Sequence, residues 1–276
     1  MSNPSRTRLI RNVRARNVNP FTPHHGTTMN NEILTVTDLI IDYPRAGKPP
    51  FRAVKGVSFD VYENEFFGIV GESGCGKSTV AKALCGLQPI TSGAATFKDV
   101  PPHAVQMVFQ DAVGSLNPRM TIGQTLSEVL TVYNLYPKEE RATRIATLLD
   151  EVGLPAEVAH AYPRELSGGQ CQRISIARAL AMNPRVIIAD EPVSALDVSV
   201  QARVLNLLAD LRQKRNLTIL LISHDLAVVR TVCDRLIVMN AGEIVEHGDA
   251  KTLFANPQHP YTQNLLAAVP DIAEAY

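Results

Sequence analysis

The rhythm of apolar and polar positions changes several times along this chain, and each change predicts an element. From Ile33 to Ile40 the pattern partly alternates, and it alternates again from Val54 to Val61, as strands with one covered face do. Between them Tyr43–Pro50 is rich in Pro and Gly and predicts a loop. Phe66–Val70 is a short continuous apolar run that enters a glycine-rich turn and then a helix starting near Lys77. Val105–Phe109 is a second such run. Residues 121–182 read mostly as helix, broken at Pro137, Pro155 and Pro163. Three compact apolar strands follow, Val186–Ala189, Thr218–Ile222 and Arg235–Met239, with helix-like stretches between them. Glu243–Gly248 predicts a closing hairpin strand. Strands that are apolar throughout and alternate with helices imply a mostly parallel sheet, and so an α/β fold. There is no internal repeat, so one such unit is present.

Composition changes this picture little. Apolar residues make up 45% of the 276, enough for a large core. The 27 basic and 27 acidic residues cancel, which argues against a dedicated nucleic-acid binder. Charge is uneven, however: Arg6, Arg8, Arg11, Arg14 and Arg16 meet no acid within residues 1–28. That stretch reads as a disordered basic extension rather than a transit peptide, and it lacks the apolar core of a secretory signal. No apolar run is long enough to span a bilayer. Cys75, Cys85, Cys171 and Cys233 show neither CxxC pairing nor metal-ligand spacing, which suits a reducing compartment.

The first chemistry lies between Gly71 and Thr79. Gly71-Glu72-Ser73-Gly74-Cys75-Gly76-Lys77-Ser78 fits G-x-x-x-x-G-K-[ST], after a buried strand and at the start of a helix. Its glycines let backbone N–H groups turn around phosphate oxygens, and the helix N-terminus adds partial positive charge. Lys77 supplies a cation for the β and γ phosphates, and Ser78 a hydroxyl for Mg²⁺. This electropositive setting predicts a lowered pKa and a reactive thiolate at Cys75. The second chemistry closes the strand Val186–Ala189 with Asp190 and Glu191. A parallel strand delivers its functional groups at its carboxyl end, where the phosphate loop also lies. Asp190 is placed to hold Mg²⁺ through water, and Glu191 to act as general base on the water attacking the γ-phosphate.

Leu166-Ser167-Gly168-Gly169-Gln170 falls between these motifs. Taken alone, Ser167 followed by two glycines is a natural helix start, with Ser167 as N-cap. In this order along the chain it resembles the signature motif of ABC ATPases, and the resemblance extends from about Ile33 to Pro270. The resemblance implies roles for further residues. Tyr43 would stack on adenine, and Gln110 would touch Mg²⁺ and water and sense a permease. Ser194–Asp197 would cross a dimer, and His224 would face the γ-phosphate. It also implies the architecture: a P-loop ATPase core with a mostly parallel sheet, an N-terminal antiparallel β subdomain and an inserted helical subdomain at about 112–180, all within residues 29–276. Ser167–Gln170 would then close over ATP bound to a partner.

Ser115–Thr121 and His259–Gln263 look like the oligopeptide, dipeptide and nickel importer branch, and Asp190–Ser199 like the second of its two ATPases. The implied partners are a sister ATPase or a second copy in a head-to-tail dimer and two transmembrane permease subunits. An extracytoplasmic solute-binding protein would act indirectly. The expected location is peripheral, on the cytoplasmic face of the inner membrane, and the cofactors are ATP and Mg²⁺. A non-transport ABC ATPase, of the DNA-repair or translation-associated kind, is the alternative; it calls for long coiled-coil insertions or tandem units. Three departures stand out. The interval from Lys77 to Gln110 is short, Cys171 replaces a usual Arg, and the C-terminal cysteine cluster of many relatives is missing, so no iron–sulfur site is expected.

Overall fold

The two alternating segments at the start of the chain pair with each other. In the computed structural model, which describes residues 31–268, Glu32–Arg45 (β1) and Lys48–Tyr62 (β2) run antiparallel. The predicted loop at Tyr43–Pro50 is not one: the strands continue through it and turn tightly at Ala46-Gly47. Pro49 and Pro50 are tolerated because β2 is an edge strand and both fall in the register irregularity between the pairs Tyr43–Phe51 and Arg45–Lys48. After Phe66–Val70 (β3) and Lys77–Leu84 (α1), Ser92–Phe97 (β4) completes a three-stranded sheet in the order β2-β1-β4. The basic extension expected at residues 1–28 lies outside the described residues.

The second sheet is built from the continuous apolar runs. Its strands are Val105–Val108 (β5), Val186–Asp190 (β6), Thr218–Ser223 (β7), β3, Arg235–Asn240 (β8) and Glu243–Asp249 (β9). They lie in the order β5-β6-β7-β3-β8-β9, all parallel except β9, which returns antiparallel to β8. Every residue of β3, β6 and β7 is buried. Helices cover both faces of a parallel sheet, so its inner strands have no reason to alternate. A fully covered Ile or Leu, such as Ile187 or Leu220, contributes about 1.5–3 kcal/mol by leaving water.

Between β5 and β6 the chain inserts Ile122–Val132 (α2), Arg141–Glu151 (α3) and Gly168–Leu180 (α4). Thr121 and Gln124 cap α2 reciprocally, and Leu126, Leu130, Leu148 and Leu149 bury its contact with α3. Val198–Arg215 (α5), Leu226–Val232 (α6), Ala250–Ala255 (α7) and Pro260–Ala267 (α8) complete the order. This is the α/β architecture that the resemblance implied. Among the described residues no helix is long and apolar enough to cross a membrane.

Parallel register decides what meets at the carboxyl edge. Val70 at the end of β3 is level with Ser223 of β7, Ile222 with Asp190 of β6, and Ala189 with Val108 of β5. The next residues along each strand are therefore Gly71, His224, Glu191 and, after Phe109, Gln110. Four segments far apart in sequence end side by side.

Candidate functional site

The phosphate loop turns sharply off β3. Gly71 has φ +149°, and a Cβ there would sit 2.1 Å from the carbonyl oxygen of Met239, so only glycine fits. The loop tip, Glu72 to Gly74, is exposed, while Cys75, Gly76 and Lys77 are buried. Lys77 is 4% exposed, and its ammonium donates to the carbonyls of Gly71 at 2.7 Å and Glu72 at 2.8 Å. Helix α1 starts at Gly76 without any side-chain cap, leaving first-turn N–H groups free of side-chain acceptors. Tyr43 comes down from β1, its hydroxyl 3.3 Å from that of Thr79.

Across from α1, Ser78 Oγ donates to Asp190 Oδ1 at 2.8 Å. Asp190 is 5% exposed, and burial pushes its carboxyl above the ordinary range while the Ser78 bond works against that rise. Glu191 follows in the left-handed region at φ 47°, a conformation that costs a non-glycine residue about 1 kcal/mol or more. Hydrogen bonds to its backbone hold it there, among them one from the Ser194 N–H to its carbonyl at 3.3 Å. Its N–H donates to the Ile222 carbonyl at 2.9 Å, and its own carbonyl accepts from Ser194 Oγ at 3.1 Å. The carboxylate is then met from both sides, by Gln110 Nε2 at 3.1 Å and His224 Nδ1 at 3.1 Å. Gln110 Nε2 also reaches Ser194 Oγ at 3.3 Å, a contact within the chain that the sequence did not disclose.

Cys75 departs from its sequence-based expectation. Burial pushes its thiol pKa up, and the nearby Lys77, 3.9 Å from the sulfur, offsets this only in part. The thiol is inside the loop at 5% exposure, so loss of water outweighs the neighbouring charge.

The polar groups of Ser167 and Gln170 are engaged with each other. Ser167 caps α4 with a closed capping box, accepting from Gln170 N at 3.3 Å while its own N–H donates to Gln170 Oε1 at 2.9 Å. Ser167 and Gly168 are exposed. Gly169 is buried against α5: a Cβ there would lie 2.4 Å from Val200 Cγ1. A cavity of about 440 Å³ adjoins this helix start, lined in part by Ser167, Gln170, Arg173 and Arg203. Cys171, in place of the usual Arg, is fully covered in the core.

Comparison with known proteins gives the family. The family model described as ABC transporter matches residues 54–194, which span the phosphate loop, Gln110, Ser167–Gln170 and the acid pair. The chain belongs to the ABC transporter family. It binds ATP and hydrolyses it. A second model, described as the C-terminal region of oligopeptide/dipeptide transporters, matches residues 245–276. The chain is 48% identical to the oligopeptide transport ATP-binding protein OppF of Bacillus subtilis, over 79% of this chain and 76% of that one. It is 45% identical to the glutathione import ATP-binding protein GsiA of Pectobacterium atrosepticum, over 86% of this chain but 41% of that longer protein. Among solved structures it is similar to the dimeric post-hydrolysis state of the ATP-binding cassette MJ0796 bound to ADP and Pi, with a TM-score of 0.69 at 30% identity, covering 79% of this chain and 98% of that one.

Proposed function

We propose that this ATPase energises import of peptides or a related small solute, such as a nickel chelate or an opine, and works as one half of a head-to-tail dimer. The observation that carries the reading is the meeting of Gln110, Glu191 and His224 at the sheet edge beside the phosphate loop. The names of the similar OppF and GsiA proteins and the match at residues 245–276 support the peptide class.

In this reading Gly71, Ser73, Gly74, Cys75, Gly76 and Thr79 turn backbone N–H groups to the phosphates, with Lys77 as the cation. Tyr43 covers the adenine. Ser78, Asp190 and Gln110 hold Mg²⁺, and the fit is good: two of these oxygens lie 2.8 Å apart already, and the ion prefers oxygen donors. When bound, Mg²⁺ neutralises charge developing on the transferred phosphoryl group. Glu191 accepts the proton of the attacking water, and Gln110 and His224 keep its carboxylate aimed.

The Ser167 hydroxyl accepts from Gln170 N and keeps its own proton to donate, and with Gly168 it faces solvent. It is half of a site, and a partner's γ-phosphate completes it. The partner is a sister ATPase or a second copy, a reading supported by the dimeric MJ0796 cassette. Residues 112–180 form the helical subdomain that answers to two permease subunits at the cytoplasmic face of the inner membrane, residues 29–276 make up the ATPase domain, and residues 1–28 are an accessory tail. An extracytoplasmic binding protein selects the solute, and no nucleic acid is involved.

Uptake of a radiolabelled tripeptide tests the reading. Cells lacking this chain should fail to accumulate it, and the wild-type chain, not Lys77→Ala, should restore uptake. Uptake that persists without the chain overturns the peptide assignment. Full rescue by Lys77→Ala overturns the assignment of the phosphate loop.

A further inference from the structure

The exposed tip of the phosphate loop is held by contacts that come from the far end of the chain. At the β8–β9 turn the Gly242 N–H donates to the Cys75 carbonyl at 2.9 Å. From α8 the Tyr261 hydroxyl oxygen accepts from the Glu72 N–H at 3.1 Å, across a sequence separation of 189 residues. The carbonyl of that same Glu72 accepts from Lys77 Nζ at 2.8 Å and from Cys75 N at 3.3 Å. One residue of the loop thus joins the tyrosine on its amide side to the phosphate-binding lysine on its carbonyl side.

Tyr261 is itself fixed by the fold. Its ring is half-buried and packs against the main core. Its N–H donates to His259 Nδ1 at 3.1 Å, which starts α8, and Pro260 presets the first turn. Glu246 of β9 accepts from Gln258 N at 2.8 Å and His259 N at 3.1 Å, fastening the approach to α8 onto the sheet. The line runs from β9 through residues 258–261 to Glu72, and no role given above to the site residues uses it. His259–Gln263 served the sequence only as a marker of the branch.

We propose that Tyr261 is a positioning residue for ATP. By pinning the Glu72 amide it keeps the loop amides and Lys77 in their phosphate-binding shape before nucleotide arrives. A loop ordered beforehand does not subtract its ordering entropy from the binding free energy. The proposal rests on the reading that Gly71–Thr79 holds the phosphates.

Calorimetric titration of the full chain with MgATP tests it. Tyr261→Phe keeps the ring and its packing and removes only the oxygen. The dissociation constant should rise about 3- to 10-fold, the worth of one net hydrogen bond. KM for ATP should rise by the same factor with kcat moving less, while the nucleotide-free melting midpoint stays near wild type. An unchanged dissociation constant overturns the proposal. A weakened one accompanied by a lowered nucleotide-free midpoint also overturns it, since that is a folding defect. Lys77→Ala in the same titration separates the two readings. If it binds MgATP as tightly as wild type, the loop assignment fails; if it loses binding and Tyr261→Phe does not weaken, only the role of Tyr261 fails.

Discussion

Two glycine-rich segments open helices in this chain, and they are finished in opposite ways. At α1 the start is left without a side-chain cap, yet a buried lysine, a serine and a buried aspartate from β6 surround it. At α4 the start caps itself with its own Ser167 and Gln170, and its first residues face solvent. The first has no side-chain cap and has charged groups close by. The second has its N3 amide met and offers a hydroxyl outward. A helix start therefore does not define a phosphate site by itself; the groups that the rest of the fold brings to it decide. Here charged side chains gather at α1, and at α4 the start is capped from within the chain.

The largest effects should come from breaking each side separately. Glu191→Gln keeps the hydrogen bonds to Gln110 and His224 within reach but cannot take a proton. Turnover should fall by about 10²–10⁴ while MgATP still binds, since the loop contacts remain. The uncleaved nucleotide should hold two chains together, so this variant should sediment as a dimer in MgATP, with itself or a sister subunit, and as a monomer in ADP. Adding Ser167→Arg should abolish that dimer without restoring or removing nucleotide binding. Wild-type turnover in the single variant, or a dimer that survives in the double one, would remove the asymmetry drawn between the two helix starts.

A smaller effect sharpens the α1 side. Because burial raises the Cys75 thiol, a maleimide should label it more slowly than a free cysteine at neutral pH, and saturating MgATP should slow it further. Equal rates with and without MgATP would mean that the loop does not wrap the phosphates.

The smallest concerns Asp190. Burial gives it a raised pKa, so the folded chain holds that proton more tightly than the unfolded chain does. The stability so gained is present below the ordinary carboxylate range and is lost as pH rises through the raised value. At neutral pH the charge is a burden to the nucleotide-free fold. Asp190→Asn should accordingly melt a few degrees higher than wild type at pH 7 without Mg²⁺, and the gap should close on acidification. A lower midpoint at pH 7 would show that the acid pair serves folding as well.

The parallel strands were legible because burial on both faces leaves almost only apolar residues, as in Val186–Ala189 and Ile219–Ile222. β4 was not: Ser92–Phe97 is made mostly of small residues and is mostly exposed, and it exists because β1 offers it a ladder. The hairpin through Tyr43–Pro50 was misread because Pro44 signals a loop. Pro44 falls in the register irregularity between Tyr43 and Arg45 of the β1–β2 ladder, a place where a missing N–H is tolerated. At the site, residue types were readable from motifs, but their meeting was not. Gln110 and His224 reach Glu191 through strand register, and Tyr261 reaches Glu72 only after the whole chain has folded. The direction of the Cys75 shift was likewise hidden, since adjacency to Lys77 is visible in a sequence and depth is not.

The left-handed backbone at Glu191 has a consequence for descent. Glycine or asparagine would occupy φ near 50° at lower cost, so folding alone disfavours glutamate at that place. What glutamate brings instead is the carboxylate that Gln110 and His224 meet. A change to glycine relieves that backbone strain at the expense of the carboxylate that meets Gln110 and His224, whereas a β-branched residue there adds to the strain.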